Sequence, residues 1–139
     1  MYYDMHTHSQ FSTDSNMTLD GALESALRQN LSGIAFTDHI DLDFTDHEDE
    51  YQFDVKSYFE TVGLYKERFF GKIDILHAVE FGIQSHVIEQ TKTLLSGYPF
   101  DFILGSTHQI PFEIFAEIWG DKSGDQVQNE PTIHLPLAA

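Results

Sequence analysis

The sequence predicts an α/β fold in which short buried strands alternate with amphipathic helices. Apolar runs end in polar residues near positions 8, 39, 82 and 108. The segments between these runs carry apolar residues at helical spacing. This alternation is typical of a parallel sheet, whose strands are buried on both faces and therefore consist of apolar runs. Periodicity alone does not distinguish an open doubly wound sheet from a β/α barrel.

The first two strands and the helix between them are predicted within residues 1–39. Residues 1–8, MYYDMHTH, are predicted to form the first strand. Residues 18–30 are predicted to form a helix with one apolar face. That face consists of Leu19, Ala22, Leu23, Ala26 and Leu27. Residues 33–39, GIAFTDH, are an apolar run that ends in polar residues, which predicts a second buried strand.

The later elements follow an acidic loop at residues 41–54. They are a helix at 55–70, a strand at 72–82, a helix at 86–97 and a strand at 100–108. The inward face of the helix at 55–70 is predicted from Val55, Phe59, Val62 and Phe69. Gly63 is unfavourable within that helix. No helical period and no convincing strand follow residue 115.

The composition restricts the ligands and partners of the protein. The chain has 23 acidic and 7 basic residues and a net charge of −16. This charge argues against binding to nucleic acid or to an anionic membrane surface. Because the chain has no cysteine, any metal ion must be held by histidine and carboxylate side chains. We find neither a signal-peptide pattern nor an apolar run of about 18 residues, and therefore expect a cytoplasmic protein.

Each predicted strand ends in polar residues that bind metals well. They are His6 and His8 in the first strand, Asp38 and His39 in the second, Glu80 in the third and His108 in the fourth. The carboxyl ends of parallel strands meet at one edge of the sheet, where ligand sites lie. His6 and His8 also point to the same face and can reach one ion together. The set therefore predicts a metal site.

Further carboxylates are expected around this site. Asp4 shares a face with the two histidines of the first strand and is expected to orient a ligand imidazole. Asp38 faces away from the neighbouring histidine on a regular strand, which favours a supporting position over direct ligation. Glu80 has two carboxylate oxygens and is able to bridge two ions. Asp14 lies on the loop after the first strand and is able to fold back over the strand ends.

The remaining histidines and the acidic run have simpler explanations. His47 is expected on the solvated surface, His77 in the core, and His86 at a helix start or on the surface. The acidic run from Asp41 to Glu50 is expected to be a solvated face, with the alternative that it lines the site entrance. The string GDKSGD lacks the order of a phosphate-binding loop.

The strand-end residues resemble the motifs of the polymerase-and-histidinol-phosphatase (PHP) family. The string Asp4-Met5-His6-Thr7-His8 matches the first motif. FSTDS with Asp14 and TDH with Asp38 and His39 look like the continuation of this pattern. AVEFG with Glu80 resembles the third motif of the family, and GSTH with His108 resembles the fourth. The strings HTHSQFSTDS, TDHIDLDF and GSTHQI look most like the histidinol-phosphatase branch. The resemblance covers residues 1–112 in the order of the family.

The resemblance implies a distorted, TIM-like β/α barrel of seven strands, of which this chain would contain about the first four strand–helix units. It also implies up to three divalent ions, with Zn, Mn and Fe as the candidates. In such a cluster His6, His8 and Glu80 would hold one ion. Glu80 and His108 would hold a second ion, and Asp14 and His39 a third.

The sequence departs from the family pattern in its last part. The family completes its site with a later histidine and an Asp-x-His motif. No Asp-x-His follows His108, and His134 in TIHLP is a poor match to the later histidine. A β/α barrel usually takes about 250 residues. We therefore expect residues 1–115 to form the N-terminal part of a metal-hydrolase domain, and residues 116–139 to be an unpatterned tail from truncation or a frameshift.

The resemblance implies hydrolysis of a small phosphate monoester, L-histidinol phosphate, in histidine biosynthesis. His6, His8, Glu80 and His108 would act through water activated by bound metal. The alternatives are an amidohydrolase-like metal hydrolase acting on C–N bonds and a non-catalytic metal-binding fragment. Arg28 and Arg68 fall on predicted helices, away from the strand ends. A partial barrel also exposes sheet edges, which predicts poor solubility or self-association.

Overall fold

The computed structural model of the protein describes residues 1–44, 52–111 and 132–134. In chain order its elements are β1 (Tyr3–Thr7), α1 (Leu19–Arg28), β2 (Gly33–Phe36), β3 (His39–Ile40), α2 (Val55–Arg68), β4 (Asp74–Gly82), α3 (Ile88–Ser96), β5 (Phe102–Ser106), β6 (Gln109–Pro111) and β7 (Thr132–His134). The alternation of strands and helices confirms the predicted α/β class. None of these helices is long and apolar enough to cross a bilayer.

The main sheet is parallel, and its strands lie side by side in chain order. β1 pairs with β2, β2 and β3 pair with one edge of β4, and β5 pairs with the opposite edge. A doubly wound sheet reverses its strand order at a switch point. The order among the described strands does not reverse and is that of a β/α barrel. The sheet order thus favours the barrel over the open sheet.

The predicted second strand is interrupted by two residues, which divide it into β2 and β3. Both parts run along β4 in one register, since Gly33 pairs with Asp74 and His39 pairs with Glu80. The interruption therefore leaves the direction of the strand unchanged. Its consequence for the site is that His39 and Glu80 lie beside each other on neighbouring strands.

Helix α1 is amphipathic in the way that its sequence predicts. It begins after Thr18, whose side-chain oxygen accepts a hydrogen bond from the backbone N–H of Gly21 at 3.1 Å. Such a contact satisfies one of the free N–H groups of a first turn. Leu19, Leu23 and Ala26 are buried and belong to the same core cluster as the apolar side chains of β2. This packing fixes the helix against β2.

Helix α2 packs through a different side chain from the one that we predicted. Val62 is buried as expected, but Phe59 is only partly buried, and Tyr58 is fully buried. The Tyr58 hydroxyl group donates a hydrogen bond to the carbonyl oxygen of Phe36 at 2.8 Å and accepts one from the N–H of Ala78 at 3.0 Å. This side chain therefore joins β2 to β4.

A second sheet lies outside the predicted elements. β6 and β7 pair in antiparallel fashion, with Gln109 opposite His134. The prediction that no strand follows residue 115 is therefore wrong for Thr132–His134. A three-residue strand is too short to produce an apolar periodicity. His47 and most of the predicted tail lie outside the described residues, and the division at residue 115 stays a prediction.

Candidate metal centre

Glu80 lies at the centre of a cluster of imidazole and carboxylate groups at the carboxyl ends of the strands. Its Oε2 atom lies 2.7 Å from Nε2 of His6 and 2.9 Å from Nε2 of His8. These two Nε2 atoms are 3.0 Å apart. On the other side, Oε1 of Glu80 lies 2.9 Å from Nε2 of His108. The Glu80 side chain is only 4% exposed, so its charge is balanced by imidazoles more than by water.

Asp14 joins this cluster from the loop that follows β1. Its Oδ2 atom lies 2.9 Å from Nδ1 of His8 and 3.4 Å from Nε2 of His39. The same Nε2 atom of His39 lies 3.9 Å from Oε2 of Glu80. The loop thus returns over the strand ends, and Asp14 reaches imidazoles that come from two different strands.

Asp38 is fully buried and holds the start of this loop. Its carboxylate accepts hydrogen bonds from the backbone N–H and the hydroxyl group of Ser9, at 2.6 and 2.9 Å. Burial raises the pKa of Asp38, although these hydrogen bonds act in the opposite direction. The Ser12 hydroxyl oxygen accepts a hydrogen bond from the backbone N–H of His39 at 2.8 Å. Together these contacts position the loop that carries Asp14.

Asp41 is a fully buried carboxylate of the cluster, so its prediction as part of a solvated acidic face is wrong. Its Oδ1 and Oδ2 atoms lie 2.9 and 3.0 Å from Nδ1 of His108. Its Oδ2 atom also lies 3.3 Å from Nδ1 of His39. The sequence does indicate that Asp41 shares a face with His39, because Asp41 follows His39 by two residues. The same spacing led us to place His6 and His8 on one face.

Asp4 lies at the exposed margin of the cluster. Its Oδ1 atom accepts a hydrogen bond from the backbone N–H of His6 at 3.2 Å. We expected Asp4 to orient a ligand imidazole. Within the described residues it contacts the backbone of His6 and not the imidazole ring of that residue. Asp4, His6, His8 and Asp14 line one side of a cleft of about 420 Å³ that opens beside the cluster. Its other side includes apolar and hydroxyl side chains of α1.

Contacts between opposite charges shift the pKa values of His8, Asp41, Glu80 and His108. Burial alone would raise the pKa of Glu80, but hydrogen bonds with His108 and His8 lower it far below its usual value. Burial alone would lower the pKa of His108, but hydrogen bonds with Asp41 and Glu80 raise it to about 9. Similar contacts, again against the effect of burial, raise the pKa of His8 and lower that of Asp41. In the metal-free chain, these contacts favour the protonated forms of His8 and His108 and the ionised forms of Glu80 and Asp41.

The donor set fits divalent metal ions. Three overlapping groups have ligand atoms within 4.8 Å of one another, namely His6–His8–Glu80, His8–Asp14–His39 and His39–Glu80–His108. Nitrogen and oxygen ligands lie about 2.0–2.1 Å from zinc, which places neighbouring ligand atoms of a tetrahedral site about 3.3 Å apart. In the first group these separations are 2.7–3.0 Å. All six predicted ligand side chains are thus brought together, and only small displacements are needed to surround an ion.

Two other histidines lie away from the cluster. The His77 ring is half-buried in β4 and stacks on the ring of Phe59 at a centroid distance of 4.4 Å. The His86 side chain is exposed, and its Nε2 atom lies 2.6 Å from Oδ2 of Asp43. These positions agree with the expected core and surface locations. The side chain of His134 lies outside the described part of the chain.

Comparison with known proteins identifies related sequences. The family model of the PHP domain matches residues 4–133. A "Probable histidinol-phosphatase" of Clostridium acetobutylicum is 37% identical over 108 residues, which cover 78% of this chain and 40% of that protein. A histidinol-phosphatase of Lactococcus lactis is 28% identical over 130 residues, which cover 91% of this chain and 48% of that protein. The chain therefore spans less than half the length of these relatives.

A solved structure has a similar fold. It is the crystal structure of histidinol phosphate phosphatase from Lactococcus lactis in complex with zinc, L-histidinol and phosphate. The two structures align with a TM-score of 0.74 and 29% sequence identity. The alignment covers 78% of this chain and 41% of the Lactococcus chain. The described strands and helices thus correspond to less than half of the Lactococcus chain.

Proposed function

Because the chain belongs to the PHP family, we propose that it carries the metal-binding part of a phosphomonoester hydrolase of the histidinol-phosphatase type. The observation that carries this proposal is the convergence of imidazoles from β1, the loop after β5, and β3 on the carboxylate of Glu80. Several imidazole nitrogens and carboxylate oxygens that meet at one point are the ligand types of zinc and related metal sites. The arrangement therefore supports a metal centre.

The proposed ligand sets follow the three groups of the cluster. His6, His8 and Glu80 would hold one ion, Glu80 and His108 a second, and Asp14 and His39 a third. Divalent ions bound there would stabilise negative charge on phosphoryl oxygens and lower the pKa of water. Imidazole and carboxylate ligands suit zinc, manganese and iron. Zinc is the first candidate, because the related Lactococcus structure contains it.

The chain's own residues have distinct proposed tasks. His6, His8, Glu80 and His108 would be catalytic through the ions that they hold. Asp38 would support the site through the loop that it fixes, and Asp4 through the backbone of His6. The cleft of about 420 Å³ beside the cluster falls within the usual size range of small-ligand sites. We assign it to the approach of a small phosphorylated substrate.

L-Histidinol phosphate is the proposed substrate, converted by water to L-histidinol and phosphate. The names of the relatives and the ligands of the Lactococcus structure support this choice. The pathway would then be histidine biosynthesis, and the expected location is the cytoplasm. A second copy of this chain is also proposed as a partner. Neither nucleic acid nor a membrane is expected as a partner, since the net charge of −16 disfavours both.

Self-association through the edges of the main sheet is the second proposed interaction. Within the described residues, β1 and β5 each pair with a single strand of this sheet. Exposed apolar side chains lie on both edge strands, with Met5 on β1 36% exposed and Ile103 on β5 44% exposed. An unpaired edge with apolar side chains is able to pair with another chain. Sedimentation velocity tests this proposal, and a monomer across a hundredfold range of concentration would contradict it.

The phosphatase proposal is tested by phosphate release from L-histidinol phosphate with the full chain, loaded in turn with zinc, manganese and iron. We expect turnover that depends on the metal and is abolished by Glu80→Gln, because Glu80 contacts three imidazoles of the cluster. His86→Ala is the matched control, since His86 contacts Asp43 on the surface. Turnover only on cyclic amides would favour the amidohydrolase alternative. Metal uptake without turnover on either substrate class would favour the non-catalytic fragment.

A further inference from the structure

One carboxylate, that of Asp41, contacts the imidazoles of two different ligand groups. Its oxygen atoms lie 2.9 and 3.0 Å from Nδ1 of His108, and its Oδ2 atom lies 3.3 Å from Nδ1 of His39. The two imidazole rings meet edge to face, with centroids 4.8 Å apart and an interplanar angle of 73°. Asp41 thus lies where the Nδ1 atoms of both rings converge, and its side chain is 1% exposed.

The opposite nitrogens of these rings point to the ligand carboxylates. Nε2 of His108 lies 2.9 Å from Oε1 of Glu80, and Nε2 of His39 lies 3.4 Å from Oδ2 of Asp14. A neutral imidazole that donates its Nδ1–H group keeps the lone pair on Nε2, which is the atom that then binds a metal. A carboxylate at Nδ1 of both rings therefore favours the ligating tautomer of both histidines.

Gly82 makes the room that this carboxylate occupies. A Cβ atom at position 82 would lie 1.9 Å from Oδ1 of Asp41 and 3.5 Å from Nδ1 of His108. The first distance is far below any van der Waals contact, so a side chain at the end of β4 would displace the carboxylate. Position 82 therefore has to be glycine for Asp41 to lie beside both rings.

We propose that Asp41 is a positioning residue that holds His39 and His108 in the Nδ1–H form at the same time, and thereby couples the metal positions to which these two histidines contribute. The proposal rests on the proposed metal centre and is independent of the substrate. The His6–His8–Glu80 group contains neither of the two imidazoles that Asp41 contacts. Its metal position should therefore bind without help from Asp41.

Asp41→Asn separates this role from a general structural one, because the amide keeps the shape but has a single acceptor atom. Oδ1 of Asp41 faces Nδ1 of His108, and Oδ2 faces Nδ1 of both imidazoles. In either orientation of the amide, its NH₂ group therefore lies against Nδ1 of at least one imidazole. Two N–H groups repel each other there, and the NH₂ group is able to donate to an unprotonated Nδ1, which favours the Nε2–H form of that imidazole. An imidazole with a proton on Nε2 does not ligate through that atom. One substitution should thus affect the metal positions that involve His39 or His108.

The test is a titration of the full, EDTA-treated chain with Zn²⁺ by isothermal titration calorimetry. For Asp41→Asn we expect one zinc equivalent to keep its affinity and the affinity of the remaining equivalents to fall about 10–100-fold. Gly82→Ala should change the titration in the same direction. Asp43→Asn is the matched control, since Asp43 contacts the surface residue His86, and it should titrate as the unmodified chain. Circular dichroism checks that each variant is folded.

Long-range ¹H–¹⁵N correlation spectra of the zinc-loaded chain give a second readout that needs no turnover. In the unmodified chain both His39 and His108 should carry the proton on Nδ1, whereas Asp41→Asn should move it to Nε2 in at least one of them. An Nε2–H form of either histidine in the unmodified chain would overturn the proposal, even if the variants fail to fold. Unchanged zinc affinity in a folded Asp41→Asn variant would overturn it too. Absence of phosphatase activity would affect only the proposed function.

Discussion

The hydroxyl group of Tyr58 donates a hydrogen bond of 2.8 Å to the carbonyl oxygen of Phe36, at the residue where β2 ends. The same hydroxyl oxygen accepts a hydrogen bond of 3.0 Å from the N–H of Ala78. Burial raises the pKa of Tyr58 well above its usual value, so the hydroxyl stays protonated and able to donate. A side chain of α2 thus satisfies the backbone of two strands where the second strand is interrupted.

Tyr58→Phe should destabilise the chain by about 1–3 kcal/mol, because it leaves a buried carbonyl oxygen and a buried N–H group without this partner. Urea unfolding followed by circular dichroism measures the change. Tyr65→Phe is the control, since the Tyr65 hydroxyl donates to Asp20 near the surface, at 2.6 Å. The control should lose less stability than Tyr58→Phe. Equal losses would contradict a special role for the buried hydroxyl.

Two glycines in open surroundings should respond to alanine with opposite signs. A Cβ atom at Gly63 or at Gly71 would have no atom within 4 Å, but Gly71 has a φ of +74°. Gly63 lies inside α2, so Gly63→Ala should stabilise the chain by about 0.5–1 kcal/mol. Gly71→Ala should destabilise it, since alanine is strained at positive φ. Thermal unfolding of both variants checks the pair, and two shifts of the same sign would contradict it.

Zinc affinity should rise with pH between 7 and 9. In the metal-free chain the pKa of His108 is raised to about 9 by its hydrogen bonds with Asp41 and Glu80, which outweigh the effect of burial. At pH 7 this imidazole carries a proton that a metal has to displace, and at pH 9 half of the molecules have already lost it. Calorimetry in buffers of different ionisation enthalpy should show fewer protons released per zinc at the higher pH. Equal proton release at both values would contradict the raised pKa.

Zinc should raise the melting temperature, and EDTA should reverse the effect. A ligand at 100 times its dissociation constant stabilises the folded state by about 2.7 kcal/mol if it binds only that state. Glu80→Gln should reduce this zinc-dependent shift strongly, because it removes the carboxylate charge between His6, His8 and His108. His86→Ala should keep the full shift. A zinc-dependent shift of equal size in both variants would place the bound zinc elsewhere.

Local patterns predicted those parts of the fold whose sequence repeats at short range. The apolar face of α1 was recognisable because its side chains recur at helical spacing and face one core. The buried position of Tyr58 was not predicted, because it does not arise from a local pattern. Its contribution depends on a polar atom that meets Phe36 and Ala78, residues 22 and 20 positions away. No periodicity contains such a contact. The pairing of Thr132–His134 with β6 is likewise a contact between distant segments.

The site was predictable where ligands follow strands and was missed where charge suggested solvent. His6, His8, Glu80 and His108 were found because strand ends of a parallel sheet meet at one edge. Asp41 heads a run of acidic residues, and such runs are usually hydrated. Its burial arises from Gly82, which leaves space for a carboxylate at the end of another strand. Two segments create this space together, so the local sequence around Asp41 indicates its position only through the two-residue spacing from His39.

The strand order of the main sheet has a consequence for synthesis on the ribosome. Because β1, β2, β4 and β5 lie side by side in the order in which they are translated, each emerging strand finds its neighbour already made. The sheet is able to grow at one edge, without waiting for a distant segment, as the chain leaves the exit tunnel. The imidazoles and carboxylates would then arrive in turn, and His108 would complete the described cluster last.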